Sequence, residues 1–171
     1  MPHMSTANLT ESLNSPVFLG AWGKPLLILH SLMAILLLGA MTHNVLLTVP
    51  YLWKRYKKVR LEKLYVKVVF VAYCLTFALG AVVYPNYRYH VRELYFDKHM
   101  PWASHLFDIK EHWAAIGLGL VGIFLLLSLT FDPRKDHERV LLYVFLSCAI
   151  TLTVWFNLIA GLWLTALKGV A

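Results

Sequence analysis

The residues best suited to chemistry sit together in His105–His112, read His-Leu-Phe-Asp-Ile-Lys-Glu-His, just before an apolar run from Trp113 to Phe131. Pro101 suits the first position of a helix, because the N–H it lacks has no helical partner there. In a helix running unbroken from Pro101, each residue turns about 100°. His105 and His112 then lie about 20° apart, with Asp108 between them on one face. Imidazole nitrogens and carboxylate oxygens are ligand atoms for a metal ion, and imidazole is an axial ligand for haem iron. At the mouth of a membrane helix such groups are costly to place without a role.

The elements that must position them follow from composition. Of the 171 residues, 59% are hydrophobic and 15% charged, and the mean hydropathy is +0.61. These values exclude an ordinary soluble domain. Charges gather between apolar runs, so the chain reads as all-α, a polytopic membrane protein built as a four-helix transmembrane bundle with an ordered outer loop. Residues 1–24 read as a polar outer tail ending in an interfacial segment at Phe18 to Trp22, without the basic start of a cleavable signal peptide. Residues 25–168 read as one membrane domain, with spans at about 25–50, 67–84, 101–131 (outer extension included) and 139–168.

Lys54, Arg55, Lys57, Lys58, Arg60, Lys63 and Lys67 follow the first span and are opposed only by Glu62. By the positive-inside rule this connection is cytoplasmic and both termini lie outside, as in a bacterial inner membrane. The net charge of +7 is then a mark of topology, with no nucleic-acid partner implied. Cys74 and Cys148 lie in apolar runs, with no CxxC and no covalent haem motif, and read as small buried hydrophobes.

That topology sorts the histidines. His30 lies about one turn into the first span, and His112 one residue before the apolar run of the third. Both sit near the outer boundary, on helices that run in the same direction and can face each other diagonally in a bundle. Two imidazoles at one level are what a six-coordinate haem b needs. Arg88, Arg92, Lys98 and Lys110 are available to its propionates, and Gly117 or Gly119 would make room for the ring. His43, at the other end of the first span, points about 220° from His30 and cannot share its site.

Two other readings stay open. His30, His105, Asp108 and His112 could hold a metal ion directly, with Glu111 as a base acting on bound water, which would make the chain a metal-dependent enzyme. Alternatively, the outer loop 85–110, rich in aromatics and paired charges, could dock other subunits of a membrane complex with no cofactor at all. Plain structural roles are available too: interfacial acids cap helices, glycines let helices approach closely, and Asn157 holds helices together.

The layout resembles the four-helix cytochrome b-type membrane subunits of respiratory complexes, which pass electrons to quinone. His30, His112 and the four-span plan carry the resemblance; the second and fourth spans contain no histidine. It implies a membrane electron-transfer subunit in a lipid bilayer, binding one haem b near the outer face and exchanging electrons with quinone or a periplasmic partner. His105, Asp108 and the loop tyrosines would then supply proton and quinone contacts.

Overall fold

A computed structural model describes residues 22–168. Residues 1–21 of the N-terminal tail, with the interfacial segment before Trp22, and the last three residues lie outside them, whereas Gly23 and Lys24 already belong to the first helix. Four long helices follow in order: α1 (Gly23–Thr48), α2 (Val59–Tyr87), α3 (Pro101–Thr130) and α4 (Val140–Leu167). All four stretches are long and apolar enough to cross a membrane. The chain is an all-α polytopic integral membrane protein. Each helix packs on its neighbours in sequence and α4 returns to α1, so α1 and α3 stand diagonally. One end carries the basic connection after α1 and the turn after α3 (the basic end). The other carries residues 88–100 (the loop end).

The sequence predicts that Pro85 closes the second span, that a short amphipathic segment lying in the interface follows, and that the chain turns at Met100–Pro101. Instead Pro85 stands inside α2. The chain continues as a π-helix over Arg88–Phe96 and a final turn over Asp97–His99. Proline removes one donor and crowds one earlier carbonyl, which bends a helix without ending it when neighbouring packing supports both sides. Here Tyr87, Val91 and Phe96 supply that packing against Ala103, Phe107 and Leu164. The chain reverses only at Met100, whose φ of −143° and ψ of 66° leave the helical region ahead of Pro101. α2 also begins eight residues earlier than about Lys67, so Arg60, Lys63 and Lys67 are helical residues, not loop residues.

Packing is uneven along the bundle. The large apolar core gathers Leu37, Met41, Val66, Val69, Val121, Phe124, Tyr143 and Ile150 towards the basic end. There Tyr143 lies between Phe124 and Phe131, with ring centroids 4.8 and 4.4 Å away. A buried polar network crosses the same layer. Tyr143 donates to Glu62 Oε1 at 2.7 Å, and the Asn44 amide donates to the same oxygen at 3.3 Å. Ser147 donates to Asn44 Oδ1 at 3.0 Å, and Thr48 donates to Ser147 at 3.2 Å. Three helices are thereby fixed in rotation as well as in distance, because each bond requires one facing partner. In contrast, from Lys24 to Leu36 no residue of α1 is buried. The bundle is closed at the basic end and parted towards the loop end.

Removing the Tyr143 hydroxyl leaves Glu62 with one weaker donor in an apolar layer. Tyr143→Phe is expected to cost about 1–2 kcal/mol. That lowers the melting temperature of the detergent-purified protein by several degrees. Leu141→Ala, at a position 70% exposed, should stay within about 0.5 kcal/mol.

Candidate functional site

Where the helices part, they enclose a cavity of about 400 Å³ reached by all four. Its floor is the apolar core below Leu37, Tyr73 and Val154, and its roof is the aromatic cluster of Tyr84, Tyr87 and Phe107. Tyr87 stacks on Phe107 at 4.5 Å, and Phe107 on Tyr84 at 6.1 Å. The rim includes exposed Phe77, Ala81 and Leu162, so the cavity opens between helices, towards lipid. Most of its wall is apolar. Volume and lining are those of a small-molecule site.

The polar groups in that wall are few and distinct. His30 reaches across to α2, where its Nδ1 stands 3.0 Å from the Thr76 carbonyl oxygen. A carbonyl only accepts, so Nδ1 carries the proton and Nε2 keeps a free lone pair. Gly80 permits this seat, since a Cβ there would stand 3.2 Å from His30 Cε1. Lys110 enters from α3, its stem against Gly161 of α4 and its Nζ 5.8 Å from the Phe107 ring centre. It forms no ion pair among the described residues. Glu111 lines the cavity beside it. Two buried oxygens of the wall residues, Tyr87 Oη and Asn157 Oδ1, have no hydrogen-bond partner among the described residues. In native interiors such orphans are rare, and each points to a missing partner.

His30 is thus the one residue of the sequence-based ligand set that faces the cavity. His112 does not line it. That ring is exposed, with Nδ1 2.7 Å from the Asp108 carbonyl of its own helix. His105 is exposed as well. Asp108 receives both Arg92 guanidinium nitrogens, at 2.6 and 3.1 Å. Arg92 also stands 3.8 Å from Asp97, and Arg88 pairs with Glu93 at 3.4 Å. Both arginines are therefore engaged with carboxylates. His105, Asp108 and His112 do share a face of α3, but that face points outward. Among the described residues no three His, Cys, Asp or Glu side chains are grouped to hold a metal. Gly117 does allow a close approach, taken up by Tyr73, whose hydroxyl sits against it and donates to the Ala114 carbonyl at 2.9 Å. Gly119 is exposed with nothing within 4 Å of a Cβ. His43 stacks on Tyr65 at 4.6 Å, away from the cavity.

The phase of α3 explains the outcome. Ala103, Ser104, Phe107, Gly117, Val121, Phe124 and Ser128 are its buried positions, and all but Ser104 fall on one stripe. Lys110 and Ala114 complete that three-and-four spacing, whereas His112 is about 140° from Gly117. The stripe is visible in the sequence and picks out Lys110. Gly80, Thr76 and Tyr87 carry no comparable signal, because their roles arise only when α1 and α3 arrive beside them.

No protein-family model, curated protein or solved structure matches the chain.

A side chain at Gly117 must displace the Tyr73 hydroxyl from its carbonyl. Gly117→Ala is expected to destabilise the protein by about 1–3 kcal/mol. Gly119→Ala meets open space and should be neutral or slightly stabilising, as alanine favours a helix over glycine. Thermal unfolding of the two variants side by side checks the contrast.

Proposed function

We propose that the protein is a membrane electron-transfer subunit whose cavity binds the headgroup of a quinone. The observation that carries this reading is the chemistry of the wall: an apolar, aromatic-roofed cavity holding an unpaired ammonium and two buried oxygens without partners. A quinone has a flat ring for the Tyr87–Phe107 stack and an apolar tail that can leave through the lipid-facing rim. Its carbonyl oxygens need donors, which Lys110 and the Tyr87 hydroxyl can supply. As quinol its hydroxyls need acceptors, which Asn157 Oδ1 and His30 Nε2 can supply. Oxidation of the quinol releases two protons and two electrons. His30 Nε2 can take one proton and the Glu111 carboxylate in the same wall the other, and the two electrons pass to a redox centre of a partner subunit.

A haem b between His30 and His112 is not the form this reading takes. The cavity wall holds His30 alone among the imidazoles, and Arg88 and Arg92 are paired with Glu93 and Asp108. No electron step is therefore routed through haem. The bacterial inner membrane, the outward termini and docking of other subunits through residues 85–110 belong to the same proposal. They rest on the basic connection after α1 and on the ordered, helical form of residues 88–99.

The protein purified from its membrane is expected to carry extractable quinone, and to bind a short-chain quinone when stripped. His30→Ala and Lys110→Met should each weaken that binding roughly tenfold, about 1.4 kcal/mol. Unchanged binding in both variants would remove the assignment. A reduced-minus-oxidised b-type spectrum would restore haem instead. A stripped protein that binds neither but copurifies with a larger complex would be a docking subunit.

A further inference from the structure

At the basic end, Lys57, Lys58, Arg60, Lys63 and Arg134 line one cleft, with Asp132 as the single acid in its wall. None of the five cations forms an ion pair among the described residues. Asp132 Oδ1 already accepts the Arg134 backbone N–H at 3.1 Å. Topology alone accounts for a basic connection after α1. It accounts for Arg134 in the turn at the same end too, but it does not require that Arg134 and the cations after α1 line one cleft.

The two connections are tied together. The Arg134 guanidinium donates to the Tyr56 carbonyl at 3.4 Å. The Tyr56 hydroxyl stands 3.2 Å from His137 Nδ1, and the two rings stack. Five like charges converging on one concavity repel one another, and an anion with several oxygens relieves that repulsion. Arginine prefers a phosphate, which matches its planar fork. The apolar flank narrows the source of the phosphate. Leu61 lines the cleft, and Leu52, Trp53 and Leu64 are exposed nearby in sequence on the ends of the same two spans. An exposed tryptophan at the end of a span marks the level at which lipid headgroups lie.

We propose that this cleft binds the phosphate of an anionic phospholipid, with the acyl chains lying along the exposed leucines of α2. The headgroup bridges the two connections at the basic end and neutralises charge that the protein leaves unpaired. The site is separate from the quinone cavity and does not rest on it.

The test uses the full chain in detergent, stripped of lipid, with short-chain phosphatidylglycerol, phosphatidylcholine of the same chain length, and inorganic phosphate as probes. Native mass spectrometry should show phosphatidylglycerol retained and phosphatidylcholine not. The double variant Lys58→Gln/Arg134→Gln should lose retention roughly thirtyfold, at the usual contribution of each basic residue to anionic-lipid binding. A salt titration of the unsubstituted protein gives a second readout that does not depend on the variant's folding, since retention must weaken as ionic strength rises. Equal retention of both lipids, or retention insensitive to salt, overturns the proposal. Complete displacement by inorganic phosphate at matching concentration overturns the lipid assignment and leaves a free-phosphate site.

Discussion

A polar group inside a membrane bundle needs a partner, because neither lipid nor apolar side chains can supply one. Two layers of this protein answer that constraint differently, although at the basic end the buried Tyr51 hydroxyl too has no partner among the described residues. In the layer of Glu62, Asn44, Tyr143 and Ser147, each group meets another from a facing helix. Those bonds fix α1, α2 and α4 in rotation and register, and the dense aromatic packing around Tyr143 keeps solvent out. Towards the loop end the helices separate, and the polar atoms facing the gap are left incomplete. A satisfied network specifies structure; an unsatisfied one of similar composition is where a ligand belongs.

The fold was largely readable from hydropathy, since four apolar runs divided by charge leave little architectural choice. Boundaries were less readable. Pro85 looks like a terminator when read alone, yet the helix passes through it because Tyr87, Val91 and Phe96 find packing on the far side. The basic residues after α1 look like a loop because lysine and arginine cluster there. Arg60, Lys63 and Lys67 are nevertheless good helix formers, and α2 takes them in. In both places local composition and helix propensity disagree, and tertiary packing decides.

Of the histidines that the sequence singles out, His30 faces the cavity while His105 and His112 face away, and the difference has a definite cause. His30 was found because an imidazole inside an apolar run is conspicuous. His112 matches it in depth alone, and depth says nothing about which way a side chain points. On α3 the direction is set by the stripe from Ala103 to Ser128, which turns Lys110 inward and His112 outward. Asp108 and Arg92 could not be matched from sequence, because their partnership depends on the π-helix that carries Arg92 back over α3. Chemical type alone therefore does not bring residues together, whereas helix phase decides which of them meet in the cavity.

The loop end also shows why the cavity stays open. The aromatic roof and the Arg92–Asp108 pair hold α2 and α3 together above it. The apolar core holds all four helices below. Between them, α1 presents Leu27, His30, Ser31 and Ala34 without burying any of them, and α4 passes with Gly161 and Asn157 at the wall. Larger apolar residues at Ala34, Gly80 or Gly161 would fill the space and bury the surface that is now exposed. The small residues there leave room for His30 and Lys110 to enter, as Gly117 lower in the bundle leaves room for the Tyr73 hydroxyl. Whether a small residue closes a gap or maintains one is decided by what stands opposite. Opposite Gly117 it is the Tyr73 ring, and opposite Gly80 it is an imidazole with a nitrogen to spare.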